Sequence, residues 1–237
     1  MTEVKLSIEP LYSWLAGKLL PSRHDLLSYA PQVMDQGYCN ACTAFAVVTA
    51  LSTYIMSTEG KRVTFDPFRL FFDSGGDCRN GNSLARVLEY VRLVGVKGSD
   101  GKVYKADPVP IHQRNINVYI LNGIPVVTLL RVGKLSFTRY RRGVYNPFPL
   151  ETKYNHALVI LGFDDEREAY LCRNSMGRAW GEDGNVWIPY DYEFLATYAI
   201  APIKTELPTS VDVSLHSLTG MGAVSYTHLT LPTTERV

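Results

Sequence analysis

The sequence predicts an α+β fold, because helix-like segments fill its first half and strand-like segments fill its second half. Before about residue 110, apolar residues form a long run or recur at the three- and four-residue spacing of a helix. Beyond that point, short β-branched or aromatic segments alternate with turn residues, which is typical of an antiparallel sheet or barrel. Two such lobes would enclose a cleft, and clefts of this kind are natural substrate sites.

The longest predicted helix begins close to Cys42 and ends at Glu59-Gly60. From Cys39 onward the chain is apolar, rich in alanine and free of glycine and proline up to that point. This pattern indicates a buried helix, with Gly60 as its C-terminal cap signal. A cysteine in the first turn of a helix lies at the positive end of the helix dipole, which favours its thiolate form.

Two shorter helices follow in the first half. Asp66 can cap a helix over Pro67–Phe72, where proline suits the first helical position. Ser83 can cap an amphipathic helix that closes at Gly95. Its expected core-facing residues are Leu84, Val87, Leu88, Val91 and Leu93.

Seven short segments of the second half are predicted to be strands of one antiparallel sheet or barrel. They are Val118–Ile120, Ile124–Leu130, Gly143–Tyr145, His156–Phe163, Ala169–Arg173, Asn185–Ile188 and Tyr198–Ile200.

The composition is that of an ordinary globular protein and points to neither a nucleic-acid nor a membrane partner. Of 237 residues, 46% are hydrophobic and 20% are charged, and the net charge is +1. That balance gives no overall field to attract nucleic acid or an anionic membrane. No apolar stretch approaches the roughly 20 residues of a spanning helix. The run Arg139–Arg142 (RYRR) could contact RNA, but such runs are usually solvated strand ends or turns.

The four cysteines allow several interpretations from spacing alone. Cys39 and Cys42 form a C-x-x-C pair, which fits half a zinc site, a redox dithiol or another role. Cys78 and Cys172 stand alone, so a zinc site would lack two close ligands. The residues before Cys39 read as a loop rather than a strand, which disfavours a thioredoxin-like dithiol.

Three motifs resemble those of the papain and cathepsin family of cysteine peptidases. Gln36–Phe45 (QGYCNACTAF) resembles the nucleophile motif Q-G-x-C-x-x-C-W-A-F. Tyr154–Phe163 (YNHALVILGF) resembles the base segment N/D-H-A-v-x-x-v-G-y. Tyr170–Gly184 (YLCRNSMGRAWGEDG) resembles K-N-S-W-G-x-x-W-G-E-x-G. The motifs occur in the family's order, and the resemblance spans about residues 20–202.

The resemblance implies a two-lobed papain-like fold, with the active site in the cleft between the lobes. A helical lobe would cover about 20–110, and a β-barrel-like lobe about 111–205. Cys42 would be the nucleophile, His156 its base and Asn174 the group that orients the base, while Gln36 would help form the oxyanion hole. The implied reaction is hydrolysis of peptide bonds in a peptide or protein substrate through an acyl-enzyme, with no metal and no cofactor.

The other cysteines and the rim of the cleft take further roles from the same resemblance. Cys78 resembles the cysteine of the family's G-C-N-G-G loop, which implies a Cys39–Cys78 disulfide, and Cys172 is expected to be a buried free thiol. The implied substrate-binding residues are Asn80, Gly81, Asn82, Asn155 and Met176.

Several departures from the family pattern support a competing hypothesis. Thr43 and Met176 stand where the family has tryptophan, and Arg79 is inserted in the G-C-N-G-G loop. His156 follows Cys42 by 114 residues, fewer than the about 130–150 usual for the family. The alternative function is a catalytically weak or silent peptide-binding protein on the same fold. A transglutaminase or cell-wall amidase is disfavoured, since these lack the glutamine six residues before the cysteine.

The two ends are excluded from the predicted peptidase domain. Residues 1–19 form an N-terminal lead, and residues 206–237 form a tail whose last part, 224–237 (VSYTHLTLPTTERV), resembles a translated sequencing adapter. No secretory signal is visible, so the default compartment is the cytoplasm, whereas a disulfide favours oxidising surroundings. We expect a monomer.

Overall fold

Helix α1 (Cys42–Glu59) is the most deeply buried helix of the computed structural model, which describes residues 21–202. Every residue from Thr43 to Ile55 in this helix is buried, as its apolar composition predicts. Gly60 ends the helix in the left-handed region at φ 65°, and its N–H donates to the Met56 carbonyl. The predicted helix is therefore confirmed, and it begins at Cys42 itself.

The two shorter helices also have the predicted caps. Helix α2 (Pro67–Asp73) begins after Asp66, whose carboxylate accepts N–H bonds from the first turn, and helix α3 (Leu84–Leu93) begins after Ser83. The prediction that Leu93 faces the core is wrong, because 54% of it is exposed. The buried residues of α3 follow the three- and four-residue spacing of one helix face, from Leu84 to Val91. Leu93 comes only two residues after Val91, so it lies on another face of the helix.

A seven-stranded sheet forms the β side of the described residues. The strands of the described residues are β1 (Arg23–Asp25), β2 (Val96–Lys97), β3 (Val103–Tyr104), β4 (Ala106–Pro110), β5 (Val126–Gly133), β6 (Lys153–Asp164), β7 (Ala169–Arg173), β8 (Asn185–Pro189) and β9 (Phe194–Pro202). Those of the sheet lie in the spatial order β4-β9-β5-β6-β7-β8, and β1 pairs with β6 beyond this path. All strand pairs are antiparallel, and β2 pairs with β3 in a separate hairpin.

Strand β6 connects most parts of the sheet. Its first eight residues pair with β5, its last three pair with β1, and its other edge pairs with β7. His156 lies opposite Leu130 of β5. Helix α1 packs against β6 and β9 on one side and against α2 and α3 on the other. The N-terminus of α1 therefore lies beside the first half of β6.

Five of the predicted strand segments are confirmed, and two are wrong. Val118–Ile120 lies in helix α4 (Ile116–Leu121), where alternate apolar side chains are buried all the same. A segment so short carries too little periodicity to separate helix from strand. Gly143–Tyr145 contributes only one bridge, between Val144 and Trp187, rather than a strand.

Strand β4 and helix α5 (Lys134–Thr138) are among the elements that were not predicted from the sequence. Strand β4 contains Pro108 and Pro110, which argue against a central strand, but β4 lies at the edge of the sheet, where proline is tolerated. Helix α5 is a single short turn between β5 and β6. Both β1 and β4 lie within the residues assigned to the helical lobe, yet they pair with the sheet.

The α+β class is confirmed, and residues 21–202 all lie within one compact unit. The N-terminal lead (1–19) and the tail from 206 onward fall outside the described residues. Among the helices that the structure describes, none is both long and apolar enough to cross a bilayer.

Candidate active site

Cys42 is the first residue of helix α1, at the point where the loop from Asp35 enters the helix. The N–H groups of a first helical turn have no partner inside the helix and give that end a partial positive charge. Cys42 is half-buried and lines a large cleft, as the predicted nucleophile should.

His156 lies on the first half of β6, directly across from the start of α1. Its side chain is 5% exposed, and its ring is within hydrogen-bonding reach of the Cys42 thiol. The Phe137 ring packs edge-on against His156 at 5.2 Å between centroids, and Trp180 packs against Phe137 in turn. This aromatic packing holds the imidazole in the wall of the cleft.

Asn174 follows strand β7, and its side-chain oxygen accepts a hydrogen bond from the imidazole of His156. Its Oδ1 atom lies 2.7 Å from Nε2 of His156 and also accepts the backbone N–H of Ser175 at 2.8 Å. Because Oδ1 has two donors, the amide can have only one orientation. Nδ2 of Asn174 is buried and has no hydrogen-bond partner among the described residues.

The Cys42 and His156 pair favours its charged form. Burial alone would raise the pKa of the Cys42 thiol, but the charge of His156, the hydrogen bond to its ring and the N–H groups of Ala157 and Thr43 outweigh burial and lower that pKa. Burial alone would likewise lower the pKa of His156, but Cys42 and the hydrogen bond to Asn174 raise it. The two shifts together stabilise a thiolate beside an imidazolium.

Gln36 lies beside this pair, and its amide is held at both ends. Its Nε2 donates to the Cys39 carbonyl at 2.8 Å, and its Oε1 accepts the Ser175 hydroxyl at 2.5 Å. One N–H of the amide is left for a ligand in the cleft, which Gln36 and Cys42 both line. The role of Ser175 was not predicted, although it is the residue directly after Asn174.

The predicted substrate-binding residues all line this cleft, which has a volume of about 1320 Å³. Helix α1, strands β5, β6 and β9 and the loop after Cys78 contribute to its walls. Tyr154 was not predicted to line it, but it does; burial, with smaller contributions from Cys42 and other charges, raises the pKa of its hydroxyl to about 12. The predicted rim residues on the cleft are Asn80, Gly81, Asn82, Asn155 and Met176.

The disulfide between Cys39 and Cys78 is present, and it ties the loop before Cys42 to the rim of the cleft. The same two loops are joined by bonds from Asn40, whose N–H donates to the Cys78 carbonyl at 3.0 Å and whose Nδ2 donates to the Arg79 carbonyl at 2.8 Å. The C-x-x-C pair therefore separates into one bridged cysteine and one free thiol.

The remaining cysteine, Cys172, does not line the cleft. Cys172 is a buried free thiol in β7, as predicted, and burial raises its pKa well above the ordinary value. Within residues 21–202, no group of three or more His, Cys, Asp or Glu side chains is arranged to hold a metal ion.

The two residues that replace the family's tryptophans occupy different surroundings. Thr43 is buried next to Cys42, and its hydroxyl has no partner among the described residues. Met176 lines the cleft and makes a bridge to Asp35. The residue after Ser175 is therefore fixed to the loop that carries Gln36, rather than covering the His156–Asn174 contact with an indole.

The fold and the site together define a protein in which a cysteine–histidine pair lies in a cleft between a helical side and a β-sheet. Residues 97–203 match the sequence profile of the family described as papain family cysteine protease. The structure is also similar to the solved Carica candamarcensis cysteine protease CMS1MS2, with a TM-score of 0.65 and 20% identity over 79% of this chain and all of that one.

Sequence relatives agree with this match. Cathepsin 7 of Rattus norvegicus is 24% identical over 72% of this chain, and the probable cysteine protease RDL3 of Arabidopsis thaliana is 25% identical over 87%. The matches cover 62% and 63% of those two proteins, so the chain spans less than two thirds of either relative. The chain therefore has a papain-like fold, and its sequence is similar to that of papain-family cysteine proteases.

Proposed function

We propose that this chain hydrolyses peptide bonds through a covalent acyl-enzyme on Cys42. The observation that carries the proposal is the continuous chain of contacts from the Cys42 thiol through the His156 ring to Asn174 Oδ1. A nucleophile, a base and a group that orients the base are the minimum for acyl transfer by a thiol.

In the first step, the Cys42 thiolate attacks the carbonyl carbon of the scissile peptide bond. The oxyanion that forms would accept from the backbone N–H of Cys42 and from the free N–H of Gln36. The His156 imidazolium donates its proton to the leaving nitrogen, so the C–N bond breaks and a thioester remains on Cys42.

In the second step, the neutral His156 ring removes a proton from a water molecule. The resulting hydroxide attacks the thioester, the C–S bond breaks, and the acid product leaves the thiolate on Cys42. Asn174 holds the ring in one orientation through both steps, since its Oδ1 accepts from Nε2 while the other ring nitrogen exchanges the proton.

Thiol labelling with the epoxide E-64, present in the Carica complex, tests the nucleophile. We expect rapid modification of Cys42 near neutral pH, found by mass spectrometry of the digested protein. Cys172 is a matched internal control, because it is buried and its pKa is raised. His156→Ala should slow the labelling by orders of magnitude with the fold retained, and cleavage of a peptide library should stop with Cys42→Ala.

A silent peptide-binding protein is the second candidate, favoured by Met176 in place of an indole and by the unpartnered hydroxyl of Thr43 beside the thiol. It predicts that E-64 labels Cys42 no faster than a free thiol and that no peptide of the library is cleaved. Peptide binding would then persist in Cys42→Ala.

A further inference from the structure

A group of basic side chains lies around helix α5, whose first residue, Lys134, lines the cleft. Residues 131–153 include six basic residues and one acidic residue, a net charge of +5 in a chain whose total is +1. Two of the six, Arg131 and Lys153, line a separate groove that also contains Asp191 and Glu193. The other four are exposed, and we call them the cationic strip: Lys134, Arg139, Arg141 and Arg142.

The cationic strip is connected to the active-site cleft through helix α5. Lys134 and Thr138 both line the cleft, and they lie four residues apart, on one face of this helix. Arg139 follows directly, and five residues of helix rise only about 7.5 Å. Lys134 and Arg139 are thus within about one Debye length of each other at physiological ionic strength.

The nearest carboxylates of the two neighbouring loops are already occupied by other donors. Glu151 accepts the backbone N–H groups of Leu135, Ser136 and Phe148 at 2.8 to 3.0 Å, as well as the Ser136 hydroxyl. Glu182 accepts the N–H of Gly143 at 2.7 Å and the Trp187 indole at 3.3 Å. Among residues 21–202, no ion pair joins a carboxylate to a member of the cationic strip.

Within the run Arg139–Arg142, the aromatic residue offers no open ring face to a single-stranded nucleic acid. Its tyrosine, Tyr140, is only 7% exposed; the hydroxyl donates to the Gly143 carbonyl at 2.5 Å and the ring packs on Trp180. Base stacking requires an open ring face beside the positive charges. Exposed cations without such a face are better matched to carboxylates.

We propose that the cationic strip selects protein substrates that carry acidic residues a few positions from the bond to be cleaved. The inference rests on the proposed peptidase function. Lys134 is the only lysine or arginine lining the part of the cleft that the structure describes, and its flexible stem can bring the ammonium to a side chain of a bound peptide. Arg139, Arg141 and Arg142 extend the positive field beyond the cleft edge, where a longer acidic segment would lie.

Paired peptides test the proposal. One cleaved peptide is resynthesised with Asp, or with its uncharged isostere Asn, at each of three positions on either side of the cleaved bond. At the favoured position we expect the Asp peptide to have a kcat/KM about tenfold higher in low salt, since several individually weak exposed charge pairs act together. The ratio should approach one in 1 M NaCl, where the Debye length is about 3 Å.

Two variants that each lose four positive charges separate the effect of the cationic strip from the effect of the protein's net charge. In K134Q/R139Q/R141Q/R142Q the ratio should fall to about one. In R62Q/R92Q/K97Q/K102Q, which removes four exposed cations that neither belong to the strip nor line the cleft, it should stay near tenfold. If circular dichroism shows that the strip variant is unfolded, Lys134→Gln alone replaces it, with an expected drop in the ratio of about threefold.

The outcomes distinguish this inference from the proposed function. Absence of cleavage of every peptide by the wild-type protein would remove the proposed function. Cleavage with a ratio near one at every position, or an unchanged ratio in the strip variant, would overturn the inference alone. So would tighter binding of a labelled single-stranded RNA than of the acidic peptide to Cys42→Ser protein, measured by fluorescence anisotropy.

Discussion

The amide oxygen of Asn174 lies 2.7 Å from Nε2 of His156 and simultaneously accepts the backbone N–H of Ser175. The second bond fixes Asn174 independently of His156, so the imidazole is aligned by a group that cannot turn with it. We expect Asn174→Ala to lower kcat/KM by about 10–100-fold, the range seen when an outer group that orients a histidine is removed. A fluorogenic peptide assay measures this loss, and activity equal to the wild type would contradict the role of Asn174.

The pH dependence of Cys42 reactivity follows from the two pKa shifts. The lowered pKa of Cys42 makes the alkylation rate rise at a lower pH than for an ordinary thiol, and the raised pKa of His156 keeps the imidazolium to a higher pH. Hydrolysis needs both charged groups, so kcat/KM should rise with pH through the first pKa and fall through the second.

The variant His156→Ala gives the control for this profile. Without the imidazolium, burial dominates and raises the pKa of Cys42, so the rise in iodoacetamide alkylation should move to higher pH. An alkylation profile that does not move would mean that His156 does not set the charge state of the thiol.

Hydrogen bonds hold both ends of the Gln36 amide, so we expect its removal to lower kcat rather than to change KM. Gln36→Ala removes one oxyanion donor, and such losses are about 10²–10³ in kcat. Ser175→Ala is the matched control: it removes only the donor to Gln36 Oε1, while the bond from Nε2 to Cys39 remains. Its loss should therefore be smaller. If both variants lost the same amount of kcat, the loss would come from disturbed packing of the loop and not from a missing oxyanion donor.

The Cys39–Cys78 disulfide should stabilise the fold through its long loop. It closes a sequence separation of 39 residues, which corresponds to about 4 kcal/mol in the chain-entropy treatment. Thermal unfolding of C39S/C78S should show a Tm about 10 °C lower at this chain length. Reductant should lower the Tm of the wild type by a similar amount and leave that of the variant unchanged; a shift of the variant by reductant would contradict this assignment.

The helices were predictable from the sequence because their signals are local. Asp66 and Ser83 bond to N–H groups two or three residues away, and Gly60 is the residue that turns the chain out of α1. The errors arose where distant contacts decide: Val118 is buried within a helix although its β-branched neighbours suggested a strand, and Pro108 is accommodated because β4 happens to be an edge.

The candidate site likewise contains residues that local motifs identify and residues that only distant contacts bring together. Cys42, His156, Asn174 and Gln36 could be named because each belongs to a motif of neighbouring residues that resembles one family. Ser175 and Lys134 could not be assigned roles, because the contact of Ser175 with Gln36 spans 139 residues and Lys134 gains its meaning from the cleft it lines. No local pattern encodes either relationship.

The amino-acid sequence itself determined the order of the motifs, the helix that begins at Cys42 and the class of fold, since caps, glycine turns and apolar periodicity act over a few residues. Tertiary structure alone decided the protonation preference of Cys42 and His156, because their attraction depends on burial and on a contact between a helix end and a strand 114 residues away. The same is true of the cationic strip: the sequence supplies the charges, but only packing determines that Glu151 and Glu182 bind backbone and indole N–H groups instead of forming ion pairs with the strip.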